Sequence, residues 1–200
     1  QATKQGWLYT FNRLTGEPVW PIEERAVPAS IVPGEVLSPT QPHVTWPEPY
    51  SMQGIGEEDL LDFTPELKAQ SLATMEDYVM GGLFNPPIHA DNPMGKYAAM
   101  NCPGGAGGVN ITSPPVADPV NNVFYLSEHT ACFALRLIPG EEADLLFPNS
   151  TGTTTAQYAN GVPGATARPP RHPSGLPIWK PPYSTIVAYD MDTGEKKFTV

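Results

Sequence analysis

The sequence predicts an all-β fold assembled from repeated blades, and three observations carry that prediction. A motif near the start of the chain returns near its end: residues 8–20, with Asn12, Thr15-Gly16-Glu17 and Trp20, match residues 186–198, with Asp190, Thr193-Gly194-Glu195 and Phe198. Each copy is an apolar strand, an Asn or Asp turn, Thr-Gly-Glu and a bulky aromatic. Internal repetition of such a unit marks a stacked or radial architecture, here the blades of a β-propeller. Next, Pro accounts for 25 and Gly for 18 of the 200 residues, which favours short strands joined by long ordered loops. Aromatic residues make up 10%, too many for a chain disordered throughout. Finally, short β-rich runs bounded by turn residues recur along the chain.

The elements follow in order. Residues 6–20 form a blade hairpin: Trp7 to Phe11 is a strand, Asn12 to Gly16 the turn, and Glu17 to Trp20 the return strand. Residues 21–95 form a loop and a helical insertion. Within them, 21–56 is so rich in proline that a helix is forbidden and a central strand disfavoured. Glu57-Glu58-Asp59 opens a short acidic turn. Thr64-Pro65-Glu66 then supplies an N-cap, a proline at the first helical position and an acid in the first turn. Leu67, Leu72, Met75 and Val79 share roughly one face, and Gly81-Gly82 is the expected terminator. Residues 96–138 hold short strands around a glycine-rich run, Gly104, Gly105, Gly107 and Gly108, with a hairpin turn at Asp118 to Asn122. Residues 139–183 read as loop, and 184–200 as the second blade hairpin. With the repeats so close to both ends, and no Met or secretory leader at Gln1, the chain is expected to be an internal fragment of a larger protein.

Several function classes lose support at once. The net charge of −10 disfavours nucleic acid, whose binding needs a Lys/Arg surface. No apolar run reaches the length of a membrane-spanning helix. His43, His89, His129 and His172 show no metal spacing, and no metal ligand is assigned. The acids Glu57, Glu58, Asp59 and Asp62 suit a solvated turn at a helix start better than the paired carboxylates of a glycosidase. Asn110-Ile111-Thr112 and Asn149-Ser150-Thr151 fit glycosylation sequons, which matter only in a eukaryotic secretory route. Cys102 and Cys132 form neither a CxxC nor a haem-attachment pattern; two buried thiols are the commoner state, and a disulfide in an oxidising compartment the alternative.

The segment Lys4-Gln5-Gly6-Trp7-Leu8-Tyr9 through Arg13-Leu14-Thr15-Gly16-Glu17 resembles a segment of the pyrroloquinoline quinone (PQQ)-dependent dehydrogenases, nearest to the membrane-bound glucose dehydrogenase branch. Ser38-Pro39-Thr40-Gln41-Pro42, Leu83-Phe84-Asn85-Pro86-Pro87 and Lys180-Pro181-Pro182-Tyr183 recur there in the same order, so the resemblance covers nearly the whole chain. It implies part of an eight-bladed quinoprotein propeller with long Pro-rich loops and one short helical insertion. The Thr-Gly-Glu and tryptophan element resembles the docking motif that staples adjacent blades in that family. Trp20 and Phe198 are accordingly read as structural.

The resemblance also implies a chemistry: oxidation of an alcohol or aldose sugar by hydride transfer to PQQ, with electrons passed to ubiquinone or a cytochrome. Lys4 matches the family lysine near the quinone carbonyl and is the candidate catalytic and cofactor-binding residue; a cation placed there stabilises charge where it forms. A lone Lys before a strand is otherwise an ordinary solvated residue. Gly107, Gly108 and Asn110 match a loop the family places near PQQ, with Ile111 where tryptophan is usual; a plain flexible turn accounts equally well for the glycines. The aspartate base and the calcium ligands are expected outside this chain, so the fragment is expected to be inactive alone, in a periplasmic protein associated with the inner membrane through other segments. The alternatives are a non-catalytic propeller that scaffolds assembly, which has no reason to keep Lys4, and a propeller hydrolase, which needs two facing carboxylates.

Overall fold

A computed structural model describes residues 1–105, 107–109, 114–139 and 169–200, and the backbone alone of 158–160. In chain order the strands are β1 (Ile22–Ala26), β2 (Thr40–Val44), β3 (Gly54–Ile55), β4 (Tyr78–Val79), β5 (Gly81–Gly82), β6 (Ile88–His89), β7 (Ala98–Asn101), β8 (Val116–Asp118), β9 (Val123–His129), β10 (Phe133–Pro139), β11 (Tyr158–Asn160), β12 (Ser184–Asp190) and β13 (Lys196–Thr199), with one α-helix, α1 (Pro65–Met75). Short strands with one α-helix among the described residues are consistent with a β-propeller domain.

Two sheets organise the chain. The four-stranded sheet runs β13-β12-β9-β8, every pairing antiparallel. Its centre is the ladder of β9 with β12, in register from Ser184 opposite His129 to Asp190 opposite Val123. Leu126, Val187 and Tyr189 from its inner face are buried against Leu8 and Tyr50 from the N-terminal part of the chain. Each such buried aliphatic side chain contributes roughly 1.5–3 kcal/mol. The second sheet runs β11-β10-β7-β4, with β6 also on β10. Asn101 in β7 faces Phe133 in β10 across an antiparallel pair, so Cys102 and Cys132 follow as cross-strand neighbours, and they form a disulfide buried at 0% and 1% exposure. This overturns the expectation of two buried thiols: the register brings together two residues whose sequence spacing carried no pattern.

The structure corrects four expectations. The proline-rich stretch is not loop throughout, because β1 and β2 pair antiparallel in register from Ile22–Val44 to Ala26–Thr40. Pro42 sits inside β2, which is tolerated because β2 pairs on one side only and its other edge needs no N–H. Helix α1 starts as expected, with Thr64 Oγ1 accepting the Leu67 amide, but ends at Met75 rather than at the glycines. Val79 and Gly81-Gly82 belong to strands β4 and β5. Residues 139–183 include β11, paired with β10. Last, the first repeat is held by isolated bridges, Ala2 with Leu8 and Phe11 with Pro18, rather than by a continuous ladder. Pro18 lacks the N–H that a continued ladder would need.

The turns of the two repeats are nonetheless the same object. Asn12 Oδ1 accepts the amides of Leu14 and Thr15, and Asp190 Oδ1 those of Asp192 and Thr193. Thr15 and Thr193 hydroxyls accept the amides of Glu17 and Glu195, at 3.2 Å in both copies. Gly16 and Gly194 both stand at φ 78°, where only glycine is unstrained. A third turn follows the same plan: Asp118 Oδ1 accepts the amides of Val120 and Asn121, and Asn122 takes the left-handed position at φ 50°.

Candidate active site: a lysine turn against a glycine-rich loop

Lys4 occupies a tight turn. The Gly6 amide donates to Thr3 O at 3.1 Å, and Gly6 has φ 79°. The turn is closed by the Thr3 amide donating to Trp7 O at 3.1 Å, beside the bridge of Ala2 with Leu8. Lys4 stands at the second position of this turn and is exposed.

Residues 50–53 brace the turn from behind. Tyr50 O–H donates to Thr3 O, and the Thr3 amide donates to the Tyr50 hydroxyl at 2.8 Å. The Tyr50 amide donates to Gly6 O at 2.9 Å, and Gln53 Nε2 to Gln5 O at 2.7 Å. Burial pushes the Tyr50 phenol above its ordinary pKa, so it stays protonated as the donor this brace needs.

The glycine-rich loop meets the turn from the other side. Lys4 Nζ donates to Gly105 O at 2.5 Å, across a sequence separation of 101. Gly108, at φ 64°, lies so close that a Cβ there would stand 2.6 Å from Lys4 O. Lys4, Gly107 and Gly108 are thus brought into one locality, while Asn110 and Ile111 lie outside the described residues.

The glycines have protein reasons to be glycines. A Cβ on Gly104 would meet the Phe133 amide nitrogen at 2.8 Å, and one on Gly107 would meet Pro103 Cβ at 2.7 Å and Ala131 O at 2.8 Å. The loop is pinned along residues 128–133. His129 and Gly108 exchange two backbone hydrogen bonds at 3.0 and 3.1 Å, the Gly104 amide donates to Ala131 O at 2.7 Å, and Cys132 is bonded to Cys102. The loop is therefore packed as well as flexible in composition, and Gly107 and Gly108 are buried. Sequence reasoning missed both supports, the 50–53 brace and the 128–133 spine. The signal that could have found them is the alternation of β9, which puts Glu128 on the inward face of Leu126, but this shows only once the strand is known to run past Ser127.

Among the described residues no group of three or more His, Cys, Asp or Glu is placed to hold a metal ion. The arrangement offers an exposed ammonium, with Gly105 O as its partner, on a rigid backbone rim. That donor set fits a ligand carbonyl or carboxylate.

A β-rich chain of repeated Asx-Thr-Gly turns has the make-up of a propeller segment. The chain matches, over residues 1–200, the family model described as PQQ glucose/ethanol/alcohol dehydrogenase, beta-propeller domain, and it belongs to that family. It is 25% identical over 205 residues to a quinate/shikimate dehydrogenase (quinone) of Acinetobacter baylyi, covering 100% of this chain and 24% of that protein. It is 28% identical to a glycerol dehydrogenase large subunit of Gluconobacter thailandicus, covering 97% of this chain and 27% of the relative. A quinoprotein glucose dehydrogenase of Escherichia coli is 28% identical, with 96% of this chain and 24% of the relative covered. The chain therefore spans about a quarter of the length of these curated relatives. No solved structure matches it significantly.

Proposed function

We propose that this chain forms one wall of the quinone site in a PQQ-dependent dehydrogenase that oxidises an alcohol or aldose hydroxyl. The observation that carries the reading is the Lys4 ammonium on Gly105 O, which joins the two segments assigned to the cofactor from sequence alone. When bound, PQQ supplies a two-electron acceptor for the hydride of the substrate carbinol carbon. Lys4 holds a fixed positive charge at the rim, where a carbonyl oxygen gaining electron density is stabilised most when the charge is already in place. Gly105 O limits the rotation of that ammonium, and the buried Tyr50 fixes the turn beneath it. Gly107, Gly108 and Asn110 complete the assigned cofactor contacts, the two glycines through backbone. The catalytic base and the calcium ligands belong to other parts of the whole protein, as do the segments that would tie it to the inner membrane in the periplasm. The acceptor for its electrons would be ubiquinone or a cytochrome.

The test uses the intact protein, reconstituted with PQQ and calcium and assayed with a dye acceptor over sugars, polyols and cyclic hydroxy acids. Lys4→Ala should lower turnover at least a hundredfold, with a melting temperature within a few degrees of wild type. No PQQ binding by the folded wild-type protein would sink the reading and leave the scaffold alternative standing.

A further inference from the structure

Glu128 is the one strongly buried acid among the described residues, at 4% exposure, and the chemistry above does not use it. It has no Lys or Arg partner among those residues. Three hydroxyls converge on it instead. Ser51 Oγ donates to Oε1 at 2.5 Å, Thr130 Oγ1 to the two carboxylate oxygens at 3.1 and 3.3 Å, and Thr185 Oγ1 to Oε2 at 3.3 Å. A buried carboxylate is tolerated only when donors surround it, and removing the acceptor would strand all three hydroxyls.

What these donors belong to matters more than their number. Ser51 lies in the brace behind Lys4, between Tyr50, which holds Thr3 and Gly6, and Gln53, which holds Gln5. A Cβ on Gly6 would stand 2.8 Å from Ser51 Cβ, so the turn rests directly on this residue. Thr130 lies in the spine of the glycine-rich loop, between His129, which bridges Gly108, and Ala131, which holds Gly104. Thr185 ties both to β12. One cavity of about 320 Å³ has Glu128 beside Gly108, and another of about 390 Å³ has it beside Tyr50 and Ser51. The carboxylate therefore stands between the lysine turn and the glycine loop.

We propose that Glu128 is a positioning residue, whose carboxylate locks the Lys4 turn to the spine of the glycine-rich loop and so fixes where the Lys4 ammonium stands relative to the cofactor. This rests on the reading of Lys4 given above, but its structural half stands without cofactor. Glu128→Asp shortens the reach to Ser51, Glu128→Ala abolishes it, and Glu128→Gln keeps the length and one carbonyl acceptor.

Three measurements on the intact protein decide it. In the cofactor-free protein, amide hydrogen exchange should accelerate at least tenfold at Gly6, Gly104 and Gly108 in Glu128→Ala, with the amides of α1 unchanged and an intermediate value in Glu128→Gln. PQQ titration, followed by protein fluorescence, should show at least tenfold weaker binding in Glu128→Ala, with substantial recovery in Glu128→Gln. In the loaded enzyme kcat should fall more than KM rises. Should Glu128→Ala not fold, Ser51→Ala removes the shortest contact alone and should accelerate exchange at Gly6 before Gly104. Unchanged exchange at all three glycines in a folded variant overturns the proposal, as does acceleration that is equal in α1. If the wild type binds no PQQ while the exchange pattern appears, the lock stands and the quinone reading fails.

Discussion

The turn at Asn12–Gly16 and the turn at Asp190–Gly194 share their hydrogen bonds and their left-handed glycine, yet they live in different surroundings. Gly194 is buried: Trp46 Nε1 donates to Thr193 O at 2.7 Å, and a Cβ on Gly194 would stand 2.1 Å from that nitrogen and 3.0 Å from the Trp20 ring. Gly16 is exposed, and a Cβ there would meet nothing within 4 Å. The turn is thus encoded locally, by a side-chain acceptor, a threonine and a glycine within five residues. Its use as a docking floor is tertiary. The glycine does two jobs in one copy, reaching positive φ and letting an indole lie on the peptide plane, and only the first in the other.

The largest way to test that contrast is a pair of alanine substitutions in the intact protein. Gly16→Ala should cost about 1–2 kcal/mol, the left-handed penalty alone. Gly194→Ala adds displacement of the Trp46 indole and loss of its hydrogen bond, for a total of about 3–5 kcal/mol. Urea unfolding midpoints compare the two. An equal cost at Gly16 breaks the contrast, because it would mean that a segment outside this chain covers Thr15 and Gly16.

A smaller effect separates the two tryptophans. Trp46→Phe keeps an aromatic face and removes the donor to Thr193 O, at a cost of about 1 kcal/mol. Trp20→Phe removes no hydrogen bond seen among the described residues and should cost less. The order of the two melting temperatures checks it, and the reverse order would make the packing of Trp20 the stronger part of the staple.

This assignment shows what sequence reveals and what it withholds. The repeated turns were legible because their geometry depends on neighbours within five positions, and so was the start of α1, where Thr64 and Pro65 act locally. The third turn was placed as a turn but not as a repeat, since Asn122 substitutes for the expected glycine. The staple was legible in part: the Trp20 ring lies against the Gly194 turn, but the hydrogen bond to Thr193 O comes from Trp46, in a proline-rich stretch read as loop. Cys102 and Cys132 meet only because β7 and β10 fall into one register. Of the site, Lys4, Gly107 and Gly108 were named, and their meeting across a hundred residues was not. Glu128 was silent because an acid in a strand reads as solvated until its inward neighbours are known.

The smallest effect sharpens the comparison through acid. Asp190 has its carboxyl held below the usual carboxylate range, first by the Asp192 amide and then by the Lys197 ammonium. Asp118 is lowered as well, first by the Asn121 side-chain amide and then by backbone amides. A lowered folded pKa means that the carboxylate's contribution is complete above the unfolded pKa, about 3.9, and is lost as pH falls through the folded value. Asn12 makes the equivalent bonds without a titrating group. Between pH 5 and pH 2, then, the amides of Asp192, Thr193, Val120 and Asn121 should lose hydrogen-exchange protection relative to those of Leu14 and Thr15, after correction for intrinsic rates. Both residues are partly exposed, which keeps the change small and makes it shrink further in salt. Asp190→Asn should remove the acid dependence at its own turn and leave that of Asp118 in place. Equal loss of protection at the Asn12 turn would show that acid acts on the whole domain rather than on the side chain that builds each turn.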